Sequence, residues 1–199
     1  MNWKQEVLRR IKPTMDEEEA LHARITGFLK EVNRAGGDAR AVLGGSGAKG
    51  TWLKGQHDAD VFVLFPGKYK SESLADILEK RLKKFKKSFQ RLHGSRDYFR
   101  VQEHNFVFEI IPILKINKAR EAQNITDVSP LHAAWVKKSS EKMRDEIRIA
   151  KAFCKAQGCY GAESYIRGFS GYVLEILVIY YGSFEKLLKA AVRWEEKQV

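Results

Sequence analysis

The apolar run Val61-Phe62-Val63-Leu64-Phe65 is opened by Asp58-Ala59-Asp60 and stopped by Pro66-Gly67. Bounded in this way, it reads as the central strand of a sheet. Alternation puts residues i and i+2 of a strand on one face, so the Asp58 and Asp60 carboxylates project side by side. Two carboxylates at the edge of a buried strand repel each other strongly, and cations between them offset that repulsion. Hard divalent cations take oxygen ligands, and Mg²⁺ sites commonly combine one or two carboxylates with substrate phosphates. Just upstream, the turn Gly44-Gly45-Ser46-Gly47 offers backbone N–H groups and a hydroxyl to phosphate oxygens. The pattern points to metal-dependent nucleotide chemistry.

A third acid, Glu109, interrupts the apolar segment Phe106-Val107-Phe108-Glu109-Ile110-Ile111-Pro112. A carboxylate buried there needs a compensating partner. If this segment pairs beside the Asp58–Asp60 strand, Glu109 completes a three-carboxylate site. Two cations about 4 Å apart would then align an attacking 3′-hydroxyl and a departing pyrophosphate. Asp58 and Asp60 would bridge both ions, and Glu109 would hold the one that activates the hydroxyl. The ordinary alternative is a turn-capping Asp58, an Asp60 paired with lysine and Glu109 as a strand-edge acid. The Gly-Ser turn and the isolated third acid together favour nucleotidyl transfer.

The rest of the chain gives an α+β organisation. Residues 16–34 carry Leu21, Ile25, Phe28, Leu29 and Val32 at helical spacing, ended by Gly36-Gly37. Residues 40–43 read as a short strand, and 48–53 as one or two helical turns. Residues 71–91 form a second amphipathic helix, with Leu74, Ile77, Leu78, Leu82, Phe85 and Phe89 facing inward. Residues 95–101 and 106–114 form a hairpin turning near 103–105. A small mixed sheet with flanking helices follows. Residues 117–127 lack periodicity and read as a linker, after which everything is helical. Ser129-Pro130 starts one helix, with Ser129 as N-cap, and Met143, Ile147, Ala150 and Cys154 mark another closed by Gly158. Residues 170–180 read as a largely buried helix and 184–194 as the last. The expected division is a catalytic head over residues 1–116 and a helical neck over 117–199.

A net charge of +11 over 199 residues favours a polyanionic partner. Lys80, Arg81, Lys83, Lys84, Lys86, Lys87 and Arg91 crowd one stretch, as a solvated face or an RNA-contacting one. Arg96, Tyr98 and Arg100 alternate along the hairpin, where Arg96 and Arg100 would touch an RNA 3′ end. His57 beside Asp58 is a lesser candidate ligand. Residues 1–15 lack the apolar core of a secretory signal, and residues 172–181 are too short to span a bilayer. Cys154 and Cys159 make neither a disulfide framework nor a complete zinc site. The expected setting is cytoplasmic, with no membrane association.

The Gly-Ser turn, the Asp-x-Asp strand and the third acid together resemble the signature of the polymerase-β-like nucleotidyltransferases. Within them, the chain is most similar to the archaeal (class I) CCA-adding enzymes, or tRNA nucleotidyltransferases. The segment from Gly45 to Gly55 resembles that group's extended nucleotide-binding turn. Ser129-Pro130-Leu131-His132 with Trp135 resembles its Thr-Pro-x-His segment. The stretches 158–163, 167–172 and 181–184 resemble its helical neck. The resemblance implies that Ser46 and Lys49, with Gly45 in the turn, contact the triphosphate. It also implies that Ser129, His132, Lys151 and Tyr160 complete the nucleotide pocket, with Lys151 as a mobile cation and the helix starting at Ser129 facing the same anion. The chain departs from the pattern at Lys49 (usually arginine), Glu109 (usually aspartate) and Arg96 (expected histidine).

The implied activity is template-independent, Mg²⁺-dependent addition of CMP and AMP, from CTP and ATP, to the tRNA 3′ end. The alternatives are a minimal nucleotidyltransferase acting on another RNA or a protein, and a non-catalytic tRNA-binding subunit. Members of the family continue into body and tail domains, so the chain is expected to be a fragment, a stand-alone enzyme, or a subunit completed by a second polypeptide or by further copies of itself.

Overall fold

The computed structural model describes residues 2–84 and 87–195. In chain order the elements are α1 (Trp3–Ile11), α2 (Met15–Ala35), β1 (Arg40–Leu43), α3 (Gly45–Lys49) and β2 (Asp58–Phe65). There follow α4 (Leu74–Leu82), β3 (Gln90–Leu92), β4 (Tyr98–Glu103) and β5 (Phe106–Leu114). The remainder is helical: α5 (Ser129–Ser139), α6 (Arg144–Ala156), α7 (Gly171–Tyr181) and α8 (Phe184–Ala191). They form two compact units. One comprises Thr14–Lys49 and Gln56–Trp135; the other comprises Met1–Pro13, Gly50–Gly55 and Val136–Val199. This seam differs from the expected split at 116/117. The segment after β5 is tied back to the sheet unit through Asp127, which accepts from the Leu114 N–H at 2.9 Å.

The sheet unit has strand order β1-β2-β5-β4-β3, with β2 and β5 parallel and the other pairs antiparallel. Ala59, Val61, Val63 and Phe65 of β2 share a buried face with Phe106, Phe108 and Ile110 of β5. Helices α2 and α4 supply the matching apolar stripes, through Ile25, Phe28 and Val32, and through Leu74, Leu78 and Leu82. Phe28 stacks on Phe108 at a centroid distance of 3.7 Å. With that face closed, the alternate residues Asp58, Asp60, Glu109 and Arg100 are left on the other.

In the helical unit, Ile147, Ile149, Ala150, Val178, Phe184 and Leu187 form a core that also packs Val7, Leu8 and Ile11 of α1. Helix α1 was not foreseen, because its charges mask the apolar stripe. Asn2 caps it, and Lys4 and Lys12 pair with Glu146 (2.7 Å) and Asp145 (2.9 Å). No helix among the described residues is long and apolar enough to cross a membrane.

Several other expectations change. The helix expected over 71–91 ends at Leu82, and Gln90–Leu92 instead pairs with β4. Crowded lysines at helical spacing repel, whereas Arg91 is held in its strand by Asp76, Glu79 and Asp97. Part of the basic run is likewise paired: Arg81 with Asp38, Lys83 with Glu79, and Lys87 with Glu31 and Glu103. Phe85 and Lys86 lie outside the described residues. The 117–127 segment folds into two 3₁₀ turns, Ala119–Glu121 and Ile125–Val128. Ser129 already has helical angles, and its N–H donates to Thr126, so it is not an N-cap. Helix α7 buries only Leu174, Glu175 and Val178, and leaves Val173 and Tyr180 exposed.

Candidate active site

The parallel register of β2 and β5 sets Asp60 directly opposite Glu109 and Asp58 opposite Val107. The two strands therefore bring Asp60 and Glu109 together on the open face, as the sequence suggested. Asp58 shares that face two residues away and is exposed. Among the described residues no three acidic, histidine or cysteine side chains are already closed into a cage for a metal. Glu109 turns its carboxylate to Arg100, at 2.7 Å.

The Gly-Ser turn lies against Asp60. The Gly44 N–H donates to the Asp60 carbonyl at 2.8 Å, and the chain then enters α3, whose helical turn falls earlier than the expected 48–53. Gly45 has φ +53, and a Cβ there would sit 1.7 Å from Asp60 Oδ2. Only glycine allows the backbone this close to the carboxylate. Ser46 follows within α3, and Lys49 ends it, buried.

Electrostatics mark Asp60 as the strained group. Burial, and then the neighbouring Glu109 and Asp58 charges, push its carboxyl up to about 6 against the pull of Lys49. Among the described residues none lies within hydrogen-bond or ion-pair distance of that carboxylate. A carboxylate desolvated beside like charges and lacking a donor suits a bound cation. His132 is lowered from the ordinary histidine range by burial and by the Lys49 charge, so Lys49 acts on both Asp60 and His132. Next to the acids opens a pocket of about 350 Å³, lined by Asp60, Phe62, Tyr98, Glu109, Ile111 and Thr126 among others.

Arg96 does not reach toward RNA as expected. It is buried, donating to Asp127 at 2.6 Å, to the Pro112 carbonyl at 2.9 Å and to Ser71. Asp127 also accepts from the Gln123 and Asn124 N–H groups at 3.1 and 3.0 Å. Burial raises its carboxyl, but Arg96 and the Leu114 and Asn124 N–H groups outweigh that and hold it below the usual carboxylate range. Nothing in the sequence spacing joined Arg96 to Asp127; the only sign was an acid in an otherwise polar linker.

In the helical unit, Lys151 is not the mobile cation expected. Its Nζ lies 2.7 Å from Glu175 Oε1 and 2.9 Å from Thr51 Oγ1, and Thr51 donates to the same carboxylate at 2.7 Å. Glu175, alone among apolar neighbours in the sequence, was the available signal for this hub. Arg148 reinforces it by donating to the Trp52 and Gly50 carbonyls at 3.0 and 2.9 Å. The Tyr160 hydroxyl and Lys151 Cε both lie beside Gly171, the first residue of α7, where a Cβ would stand 2.7 Å from the hydroxyl. Ser170 caps that helix through the Val173 N–H.

Residues 25–129 match the family described as nucleotidyltransferase domain, and residues 145–199 match that described as tRNA nucleotidyltransferase, second domain. The CCA-adding enzyme of Nanoarchaeum equitans is 44% identical over 155 residues, covering 78% of this chain and 39% of that protein. The CCA-adding enzyme of Sulfurisphaera tokodaii is 39% identical over 200 residues, covering 98% of this chain and 47% of its own length. The chain thus spans less than half the length of these curated relatives. Among solved structures, the poly(U) polymerase Cid1 bound to MgATP superposes with a TM-score of 0.66 at 20% identity, covering 90% of this chain and 54% of that one. A cytoplasmic RNA terminal U-transferase gives 0.64 at 21% identity, covering 90% and 51%. At that identity the likeness establishes the shared fold.

Proposed function

Because the chain belongs to the nucleotidyltransferase domain family, we propose that it adds CMP and AMP to the 3′ end of tRNA, building the CCA terminus without a nucleic-acid template. The observation that carries this reading is the Asp60–Glu109 pair, in register on neighbouring parallel strands beneath the Gly44-Gly45 turn. The relatives named CCA-adding enzymes support the choice of tRNA, CTP and ATP.

The donor set fits Mg²⁺: carboxylate oxygens only, with Asp60 lacking a compensating donor. Bound there, Mg²⁺ lowers the pKa of the attacking hydroxyl and neutralises the departing pyrophosphate. The residues themselves have simpler tasks. Asp58, Asp60 and Glu109 present the oxygens, and Gly45 lets the main chain approach them. Ser46 and Lys49 offer a hydroxyl and a positive charge to the triphosphate, with His132 within the reach of Lys49's field. In the transfer, the RNA 3′-hydroxyl oxygen bonds to the α-phosphorus as the bond to the β-phosphate bridging oxygen breaks. Pyrophosphate leaves with that electron pair, and the hydroxyl proton passes to solvent. In the helical unit, Lys151 and Tyr160 shape the start of α7, where main-chain N–H groups favour phosphate. Lys151 acts there as a fixed charge.

The test is incubation of the protein with tRNA lacking its CCA end, Mg²⁺, and CTP and ATP together or each nucleotide singly, followed by sequencing of the products. The expected product ends in two cytidines and one adenosine. No incorporation of any nucleotide would overturn nucleotidyl transfer, and incorporation of UTP alone would overturn CCA addition.

A further inference from the structure

We propose that Arg100 is a latch on the third carboxylate: its guanidinium holds Glu109 while no cation is bound and is displaced when a divalent cation enters. The inference rests on the metal-dependent reading of Asp60 and Glu109.

The sheet lays three charges in a row. Asp60 faces Glu109 across β2 and β5, and Glu109 faces Arg100 across β5 and β4. Glu109 therefore has a like charge on one side and an opposite charge on the other. Its Oε1 takes a hydrogen bond from Arg100 Nη2 at 2.7 Å, whereas the Asp60 carboxylate has no such donor among the described residues. Of the two acids, only Glu109 is held by a direct hydrogen bond among the described residues. An entering cation must compete for oxygens that the guanidinium already holds.

Exposure makes this pair releasable. The side chains of Arg100 and Glu109 are 43% and 29% exposed. Those of the other arginine–carboxylate pair beside the pocket, Arg96 and Asp127, are 6% and 0% exposed. Separating Arg96 from Asp127 would strand buried charges. Arg100 instead swings into water at small cost, because a partly exposed pair is only weakly held. The Arg96 pair is thus part of the framework, and the Arg100 pair is a place-holder. While latched, Arg100 is withheld from RNA.

The test uses the full chain and Mn²⁺ as probe, with free Mn²⁺ followed by electron paramagnetic resonance in the absence of nucleotide. Arg100→Ala is expected to bind Mn²⁺ about twofold to fivefold more tightly than the parent, the range of a partly exposed ion pair. Arg100→Lys should fall between the two, and Asp60→Ala should abolish the site. The unsubstituted protein supplies a second readout. On titration with Mg²⁺, the Arg100 Nη2–H resonance, which reports the hydrogen bond to Glu109, should lose its protection from solvent exchange. Unchanged or weaker Mn²⁺ binding in Arg100→Ala, with the parent site intact, would overturn the latch. So would an Arg100 resonance that stays protected at saturating Mg²⁺. Failure of the parent itself to bind Mn²⁺ would overturn the underlying metal-site reading, and the latch with it.

Discussion

Replacing Asp60 with asparagine should make the cation-free protein more stable, although the change removes the residue at the centre of the proposed chemistry. The Asp60 carboxyl is raised from 3.8 to about 6, first by burial and then by Glu109 and Asp58. A raised acid in the folded state means that the native chain holds a proton the unfolded chain has already lost. Stability therefore falls as pH climbs from 3.8 through 6, and the loss is complete above that window. A shift of about two units at 1.36 kcal/mol each sets a ceiling of about 3 kcal/mol, and solvent screening of a partly exposed side chain reduces this to about 1–2 kcal/mol. Urea melts of both proteins in chelator between pH 4 and pH 8 measure the difference directly. The advantage of Asp60→Asn should be near zero at pH 4 and reach its full size by pH 8. Added Mg²⁺ should reverse it by stabilising the parent alone. A variant less stable than the parent at pH 8 in chelator, or a gap independent of pH, would refute the reasoning.

Other outcomes follow from the same structure. Lys151→Met should cost about 3–5 kcal/mol by leaving the buried Glu175 carboxylate without its ammonium partner, and adding Glu175→Leu should restore much of that; denaturant melts of the single and double variants decide. Asp127→Asn should cost a similar amount at pH 7, with the penalty shrinking as pH falls, because a depressed carboxyl stabilises the parent above the ordinary carboxylate pKa and that contribution is lost on acidification. Gly45→Ala should weaken Mn²⁺ binding at least tenfold and cost about 1–2 kcal/mol in stability, since a Cβ at φ +53 meets the Asp60 carboxylate; calorimetric titration and thermal melts report the two effects.

What the sequence made legible was local and periodic. The Asp58–Phe65 and Phe106–Leu114 strands run between the breakers and charges that bound them, and their alternation put both acids on one face. That these two strands pair was a conjecture from the isolated acid in the second; the structure pairs them, and it alone supplies the parallel sense and the register that set Asp60 opposite Glu109. What stayed hidden depends on partners distant in the chain. Arg96 read as a surface residue because nothing nearby announces Asp127. Lys151 read as mobile because Glu175 and Thr51 lie 24 and 100 residues away. Helix α1 was hidden by its charges, which the tertiary fold uses in pairs with α6. The early end of α4 reflects competition that propensity does not see: Arg91 contributes more in the β3–β4 pairing, among three acids, than in a helix of like charges.

The central claim is that carboxylates from two adjacent strands share a divalent-cation site with a nucleoside triphosphate. Crystals grown with Mn²⁺ and a non-hydrolysable CTP analogue test it through anomalous scattering. Peaks bounded by the Asp58, Asp60 and Glu109 carboxylates, touching the triphosphate and with Arg100 withdrawn, are the expected result. Triphosphate bound with no anomalous peak between Asp60 and Glu109 would contradict the account.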